Sequence, residues 1–304
     1  MRRPQFVRLT GILLLVVAAA SCSVVQQGTE ILAQTGKISE SDKNSIIKTS
    51  EAIRSTFADI TEEEEYYIGR SVAAMILSRY PAYNNDGLTR YINTVGNAVS
   101  YFSNRPEVYA GYHFLILDTD EVNAMAAPGG FIFISKGLLK RCKDEEMLAA
   151  VLAHEIGHVT AKHGLQSIKK SRLIDAFKIL GTEAVQRYGS EQLAQLTGIF
   201  EGVLGDVVES LIERGYDRKY EYEADRQAVA ITVRTGYSPA GLTDFLGTMV
   251  GDKSTASGKG WFKTHPSPED RLERVKAEIS LAKSIPLRAA VRIARFKQNV
   301  GNLK

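Results

Sequence analysis

Apolar residues keep a helical period through most of this chain and leave it in two short runs. Ile46, Ile47, Ile53 and Phe57 recur near helical spacing from Asp42 to Ala58. Thr61-Glu62-Glu63-Glu64 is a capping-box pattern, and it opens a helix bearing Ile68, Val72, Met75 and Ile76. Pro81, Asn84, Asn85, Asp86 and Gly87 mark a loop, after which Leu88, Ile92, Val95, Ala98 and Val99 form another amphipathic helix. The period then changes. Tyr112 to Asp118 and Phe131 to Ile134 are short apolar runs suited to buried strands, separated by a predicted loop from Asn123 to Gly130. Lys136 to Cys142 predicts a short helix, and Asp144 predicts the N-cap of a longer one with Glu145 and Glu146 in its first turn. Residues 165 to 213 read as a helical hairpin broken at Gly181, Gly189 and Gly198. Tyr220 to Thr235 is strongly helical and ends at Gly236-Tyr237-Ser238-Pro239, where Ser238 is placed to cap the next helix. A Gly/Ser/Lys-rich loop spans Gly251 to Gly260, and a charged amphipathic helix spans Pro268 to Leu281. The expected fold is α+β, mostly helical with a small, mainly antiparallel sheet.

The N-terminus reads as an address. Arg2, Arg3 and Arg8 precede an apolar run from Ile12 to Ala20, too short to cross a bilayer comfortably. Cys22 after small residues resembles a lipobox, so residues 1–22 are expected to be a lipoprotein signal peptide with Cys22 lipidated. Ala19, where Leu is commonest, leaves ordinary cleavage or an uncleaved anchor as alternatives. Ser23 lacks the Asp that would favour inner-membrane retention, which points to a bacterial outer membrane and the periplasm. Residues 23–42 read as a tether, 43–285 as the domain, and 286–304 as a basic tail with Arg288, Arg292, Arg295 and Lys297. The tail is read as a solvated helix face, with a lipid or partner contact as its rival.

Composition narrows the chemistry. The chain has 304 residues, 44% of them hydrophobic, and a net charge of +3, which is too weak to argue for nucleic acid. Its two cysteines are Cys22 and Cys142, so the mature chain holds no internal disulfide framework, and Cys142 reads as a small buried hydrophobe.

The strongest motif is His154-Glu155-Ile156-Gly157-His158. On a helix the two imidazoles share a face and can grip one ion, while Glu155 stands beside it and can take a proton from a bound water. A catalytic zinc needs a third protein ligand, and Glu221 and Asp225 lie one turn apart on a predicted helix, with Glu223 pointing elsewhere. Glu221 is the leading candidate for the ligand, with Asp225 accepting a hydrogen bond from an imidazole. His163, five beyond His158, is turned about 140° away and is expected to support the site by hydrogen bonding. His113 reads as structural. Tyr222 and Tyr237 are candidates for lining the cleft.

Ala153-His154-Glu155-Ile156-Gly157-His158-Val159 followed by Glu221-x-Glu223-Ala224-Asp225 resembles the M48 family of zinc metallopeptidases, in particular its periplasmic lipoprotein branch. Further matches are Asn123-Ala124 with Pro128-Gly129-Gly130, Gly137-Leu138-Leu139, and Thr264-His265-Pro266 followed by Arg271, so the likeness covers about residues 60 to 280. Asp217 before Arg218 departs from the usual Ser-Arg. The resemblance implies a zincin-type domain in which His154, His158 and Glu221 bind one Zn2+ and Glu155 is general base. It implies that Phe131, Ile132, Phe133 and Ile134 form an edge strand for extended substrate. It also brings His265 near the ion, as an oxyanion stabiliser or as a latch. The activity implied is endopeptidase cleavage of misfolded or misassembled envelope proteins. A chaperone for outer-membrane protein assembly with a latched site, or a zinc-stabilised scaffold, are the rivals. Glu155 favours the enzyme, because a structural site needs no base.

Overall fold

The structure, a computed structural model, describes residues 60–167, 201–250, 261–265, 267–282 and 289–303. Apart from Ile60 these lie in one unit made of Thr61–Lys169 and Ala194–Lys304. The leader, Cys22, the tether, the helix expected over 42–58, most of the 165–213 hairpin and the 251–260 loop fall outside the described residues. Among the described residues no helix is long and apolar enough to cross a membrane.

Thr61 caps α1 (Glu62–Arg79) with a complete capping box: its side chain accepts from the Glu64 amide, and Glu64 reaches back to the Thr61 amide. Its inner face is Glu65, Gly69, Val72, Ala73 and Ile76, whereas Met75 is exposed. Asn85 caps α2 (Asp86–Tyr101), so Asp86 and Gly87 belong to the first helical turn rather than to the loop before it. The sheet is three-stranded, ordered β1 (His113–Leu117), β3 (Phe131–Ser135), β2 (Ala124–Ala127). It is mixed: β1 and β3 pair in parallel, β2 and β3 antiparallel. The 123–130 stretch is therefore a strand followed by a 3-10 turn, Pro128–Gly130, where a loop was expected. Ala-Met-Ala-Ala carries weak strand propensity, and its burial against the metal-site helix decides its conformation.

This order corrects the reading of Phe131 to Ile134 as an edge. β3 is central, with its backbone used on both sides, so Phe131, Ile132, Phe133 and Ile134 offer no free ladder to a substrate. Among the described residues, the strand with an unpaired side toward the site is β2.

A short helix α3 (Lys136–Arg141) follows, capped by Ser135. The central helix α4 (Glu145–Thr160) is capped by Asp144, and every residue from Glu145 to Val159 is buried. Helix α5 is one turn, His163–Gln166. Residues 201–208 are helical and run into a π-helical stretch, Glu209–Arg214. The helix α6 (Arg218–Thr235) lies along α4, with Gly157 against Ala224, where a Cβ on Gly157 would stand 3.1 Å from the Ala224 Cα. Gly236 ends α6 in the left-handed region, α7 is Ala240–Val250, α8 is the turn Trp261–Thr264, and α9 is Pro268–Ser280.

The C-terminal segment is not a tail. Helix α10 (Ala290–Val300) places Phe296 and Val300 in the same apolar core as α2 and α4, so the folded unit runs past 285. Arg292 and Arg295 face inward to the carboxylates of Glu146 and Glu145 at the start of α4.

Candidate metal centre

Helix α4 presents His154 and His158 on one face, four residues apart, and α6 presents Glu221 and Asp225 in the same way. The close approach at Gly157 brings these faces together. His154 Nε2 and His158 Nε2 are 3.1 Å apart, Glu221 Oε1 is 3.4 Å from His158 Nε2, and Glu221 Oε2 is 3.6 Å from His154 Nε2. A fourth donor comes from the segment after α8: His265 Nδ1 is 3.0 Å from Glu221 Oε2 and 3.4 Å from His154 Nε2. Donors around one ion at zinc-like bond lengths in tetrahedral geometry stand about 3.3 Å apart. The donor set of His154, His158, Glu221 and His265, all buried, therefore fits a zinc-class ion.

Each donor is held from behind. His154 Nδ1 is 2.9 Å from Asp225 Oδ1, and His158 Nδ1 is 2.9 Å from His163 Nδ1. Arg271, fully buried on α9, grips Asp225 with Nε and Nη2 at 2.8 and 2.7 Å and places Nη1 2.8 Å from Glu221 Oε2. Trp261 stacks on His265 with ring centroids 4.0 Å apart. Tyr216 stacks on His158 at 4.4 Å and 18°.

Glu155 differs from these groups. Both its carboxylate oxygens are buried and lack a hydrogen-bond partner among the described residues, and His265 Nε2 lies 3.7 Å from Oε1. It lines a narrow cleft with Ala124, Met125, Tyr216 and Thr264. Burial pushes its carboxyl above the usual range, against the opposing pull of His265 and His154. Glu221 is opposite in sense: burial alone would raise it, but His265, Arg271 and the two α4 imidazoles hold it well below the carboxylate range. Burial also holds His158 well below an ordinary imidazole. At His154 burial and Arg271 act downward, yet hydrogen bonds to Asp225 and Glu221 outweigh them and lift the group to about 9.

Of the residues singled out from sequence, His154, Glu155, His158, Glu221, Asp225 and His265 meet at this centre, with His163 behind it. Phe131 to Ile134 do not border it. In their place β2 turns its free side to the centre, and the Ala124 carbonyl stands 3.4 Å from His265 Nε2. Tyr237 lies at the far end of α4, donating to Glu145, and Tyr222 is covered by Arg274 rather than facing the cleft. The aromatic that does face it is Tyr216, which sequence reasoning missed. Its one signal is Gly215 before it, at φ 75°, breaking the helix immediately ahead of α6.

Known proteins resemble this chain over the region that carries the centre. The sequence pattern of Peptidase family M48 matches residues 87–279. The "Beta-barrel assembly-enhancing protease" of Yersinia pestis is 28% identical over 238 residues, covering 75% of this chain and 46% of that protein. The protein of the same name from Escherichia coli (strain K12) is 28% identical over 215 residues, 69% of this chain and 42% of the relative. "Metalloprotease YcaL" of Escherichia coli (strain K12) is 30% identical over 175 residues, 56% of this chain and 63% of the relative. The chain thus spans less than half the length of the two assembly-enhancing proteases.

Proposed function

Because the chain belongs to peptidase family M48, we propose that it is a zinc metalloendopeptidase acting on misfolded or misassembled envelope proteins. The observation that carries this reading is the desolvated, unpartnered carboxylate of Glu155 beside four converging donor atoms. His154, His158 and Glu221 would hold the ion. Zinc, when bound, supplies Lewis acidity toward a water and toward the scissile carbonyl. Glu155, whose burial raises its affinity for a proton, takes one from the attacking water and returns it to the leaving amine. Asp225 fixes the His154 ring through Nδ1, and Arg271 fixes Asp225. An extended substrate pairs with the free side of β2, a mode that reads backbone and suits unfolded chains.

A latched resting state is favoured by His265, whose Nδ1 stands in the donor cluster, at the place a substrate or water must take. This would suit an assembly factor whose site opens seldom, in keeping with the names of the relatives. We further place the mature chain in the periplasm, tethered to the outer membrane through lipidated Cys22, on the strength of the N-terminal pattern and those relatives.

The test is Glu155→Gln in the mature chain. Zinc content should stay near one per chain while cleavage of casein or an unfolded envelope protein falls by roughly 10²–10⁴. Undiminished cleavage would overturn the mechanism, and protein without stoichiometric zinc would overturn the ligand set.

A further inference from the structure

The two histidines of α4 are backed by different kinds of group. Behind His154 stands the carboxylate of Asp225, which can only accept, so the ring hydrogen belongs on His154 Nδ1 and Nε2 is left with a lone pair for an ion. Behind His158 stands another imidazole, with His163 Nδ1 2.9 Å from His158 Nδ1. A neutral imidazole nitrogen can either give or take a hydrogen bond, so this contact fixes nothing by itself. If His158 donates, its Nε2 turns a lone pair to the donor cluster. If His163 donates, the hydrogen of His158 is pushed onto Nε2, where an ion would have to sit.

A third group breaks the tie. His163 Nε2 is 3.4 Å from Glu223 Oε2 on α6. A carboxylate at that place keeps the ring hydrogen of His163 on Nε2, which leaves its Nδ1 as an acceptor and makes His158 the donor. The surroundings hold the three in line. Lys162, at a left-handed φ of 55°, turns the chain so that His163 opens α5 facing His158, and its ammonium, 3.3 Å from Glu65 Oε2, ties that turn to α1. Tyr220, one turn before Glu223 on α6, lays its ring 4.4 Å from that of His163. His163 is fully buried whereas the Glu223 side chain is 43% exposed, so this line of hydrogen bonds runs from the donor cluster to the surface.

We infer that His163 and Glu223 are positioning residues of the metal centre: Glu223 sets the tautomer of His163, and His163 sets that of His158. The inference rests on the ligand set proposed above. Helical spacing turns Glu223 away from the ion, and for that reason it reaches the back of His158.

The experiment combines zinc affinity, read by competition with a chromophoric chelator, and a long-range 1H–15N spectrum of the zinc-loaded, 15N-labelled mature chain, in which only five histidines contribute. His158 should carry its hydrogen on Nδ1, and His163 should carry its own on Nε2 with a bare Nδ1. His163→Leu removes the acceptor and should weaken zinc binding by about 10–100-fold. His163→Asn should stay within about threefold of wild type, because its amide can present an oxygen to His158 without help from a third group. Glu223→Ala should weaken binding by about threefold, since water reaches the exposed end in its place, and Glu223→Gln, which keeps an acceptor, should restore it. Introduced together with His163→Asn, Glu223→Ala should change nothing. An equal loss from Glu223→Ala in both backgrounds would make Glu223 a distant charge only and overturn the inference, as would a hydrogen on His163 Nδ1 in the wild type. Glu223 lies at the surface, so its variants carry the test if His163→Leu fails to fold. Wild type without stoichiometric zinc would instead overturn the ligand set, and the peptidase reading with it.

Discussion

At the scale of single residues, the proposed latch rests on His265. Three of the four donors sit on long helices, but His265 follows a one-turn helix and is held by stacking on Trp261 and by its own amide bonding to the Trp261 carbonyl. A donor on so short an element can leave the cluster without unfolding α4 or α6. His265→Ala should therefore raise proteolysis of unfolded protein, by about tenfold if the open form is near one molecule in ten. Kinetic assay of the zinc-loaded variant checks it, and a fall in rate would make His265 an oxyanion stabiliser instead. The pairing at Asp225 shows how far local sequence reaches, since helical spacing on α4 and α6 is enough to suggest it, whereas His163 comes behind His158 through the left-handed turn at Lys162 that starts α5. Arg271, by contrast, arrives from α9, 46 residues beyond Asp225, and Glu65 lies 64 residues before the Gly129 amide that it holds. No local period marks such a contact.

At the scale of elements, the capping box, the Asp144 cap and the amphipathic helices were legible because each depends on neighbours three or four residues away. The sheet was not fully legible, since pairing depends on what the strands pack against: β2 is four small residues with little strand preference, and its insertion makes β3 central. The same kind of contact governs how α4 meets α6. Gly157 lets Ala224 approach, and with it Glu221 and Asp225 on the same helical face. Gly157→Ala puts a methyl 3.1 Å from both the Ala224 Cα and its carbonyl oxygen, so α6 must yield by a few tenths of an ångström. Zinc affinity should fall by about tenfold, a loss of the size seen when supporting contacts of a ligand are disturbed. Gly205→Ala is the control: among the described residues nothing lies within 4 Å of its Cβ, and in a helix it should gain up to about 1 kcal/mol and leave metal affinity unchanged. Competition titration with a chromophoric chelator reads both.

At the scale of the whole molecule, α4 is held at its two ends by different means. Its C-terminal half carries the donors, and its N-terminal turn carries two buried acids that the rest of the fold must satisfy. Glu145 accepts from Tyr91 at 2.9 Å, from Tyr237 at 2.8 Å, and from Arg295, whose Nε is 2.7 Å from Oε2. Glu146 accepts from the Ser238 amide at 2.6 Å and from Arg292 at 3.0 Å. Chain from α2, from the α6–α7 turn and from α10 thus closes on one helix end. Burial alone would raise the Glu145 carboxyl, but Arg295, Tyr237 and Tyr91 outweigh it and hold the group below the ordinary glutamate value. A depressed value in the folded state means that this contribution to stability is complete above the unfolded value of about 4.3, and is lost as pH falls through the lower folded value. Arg295→Met should accordingly cost about 2 kcal/mol at neutral pH. That is less than a fully buried pair would cost, because the Arg295 side chain is 45% exposed. The gap between wild type and variant should then narrow as pH drops below about 4, where protonated Glu145 no longer needs the guanidinium. Urea unfolding at pH 7 and at successively lower pH measures the gap directly. A difference that stayed constant with pH would show that α10 stabilises the domain through Phe296 and Val300 alone, and that the charge on Glu145 is satisfied without it.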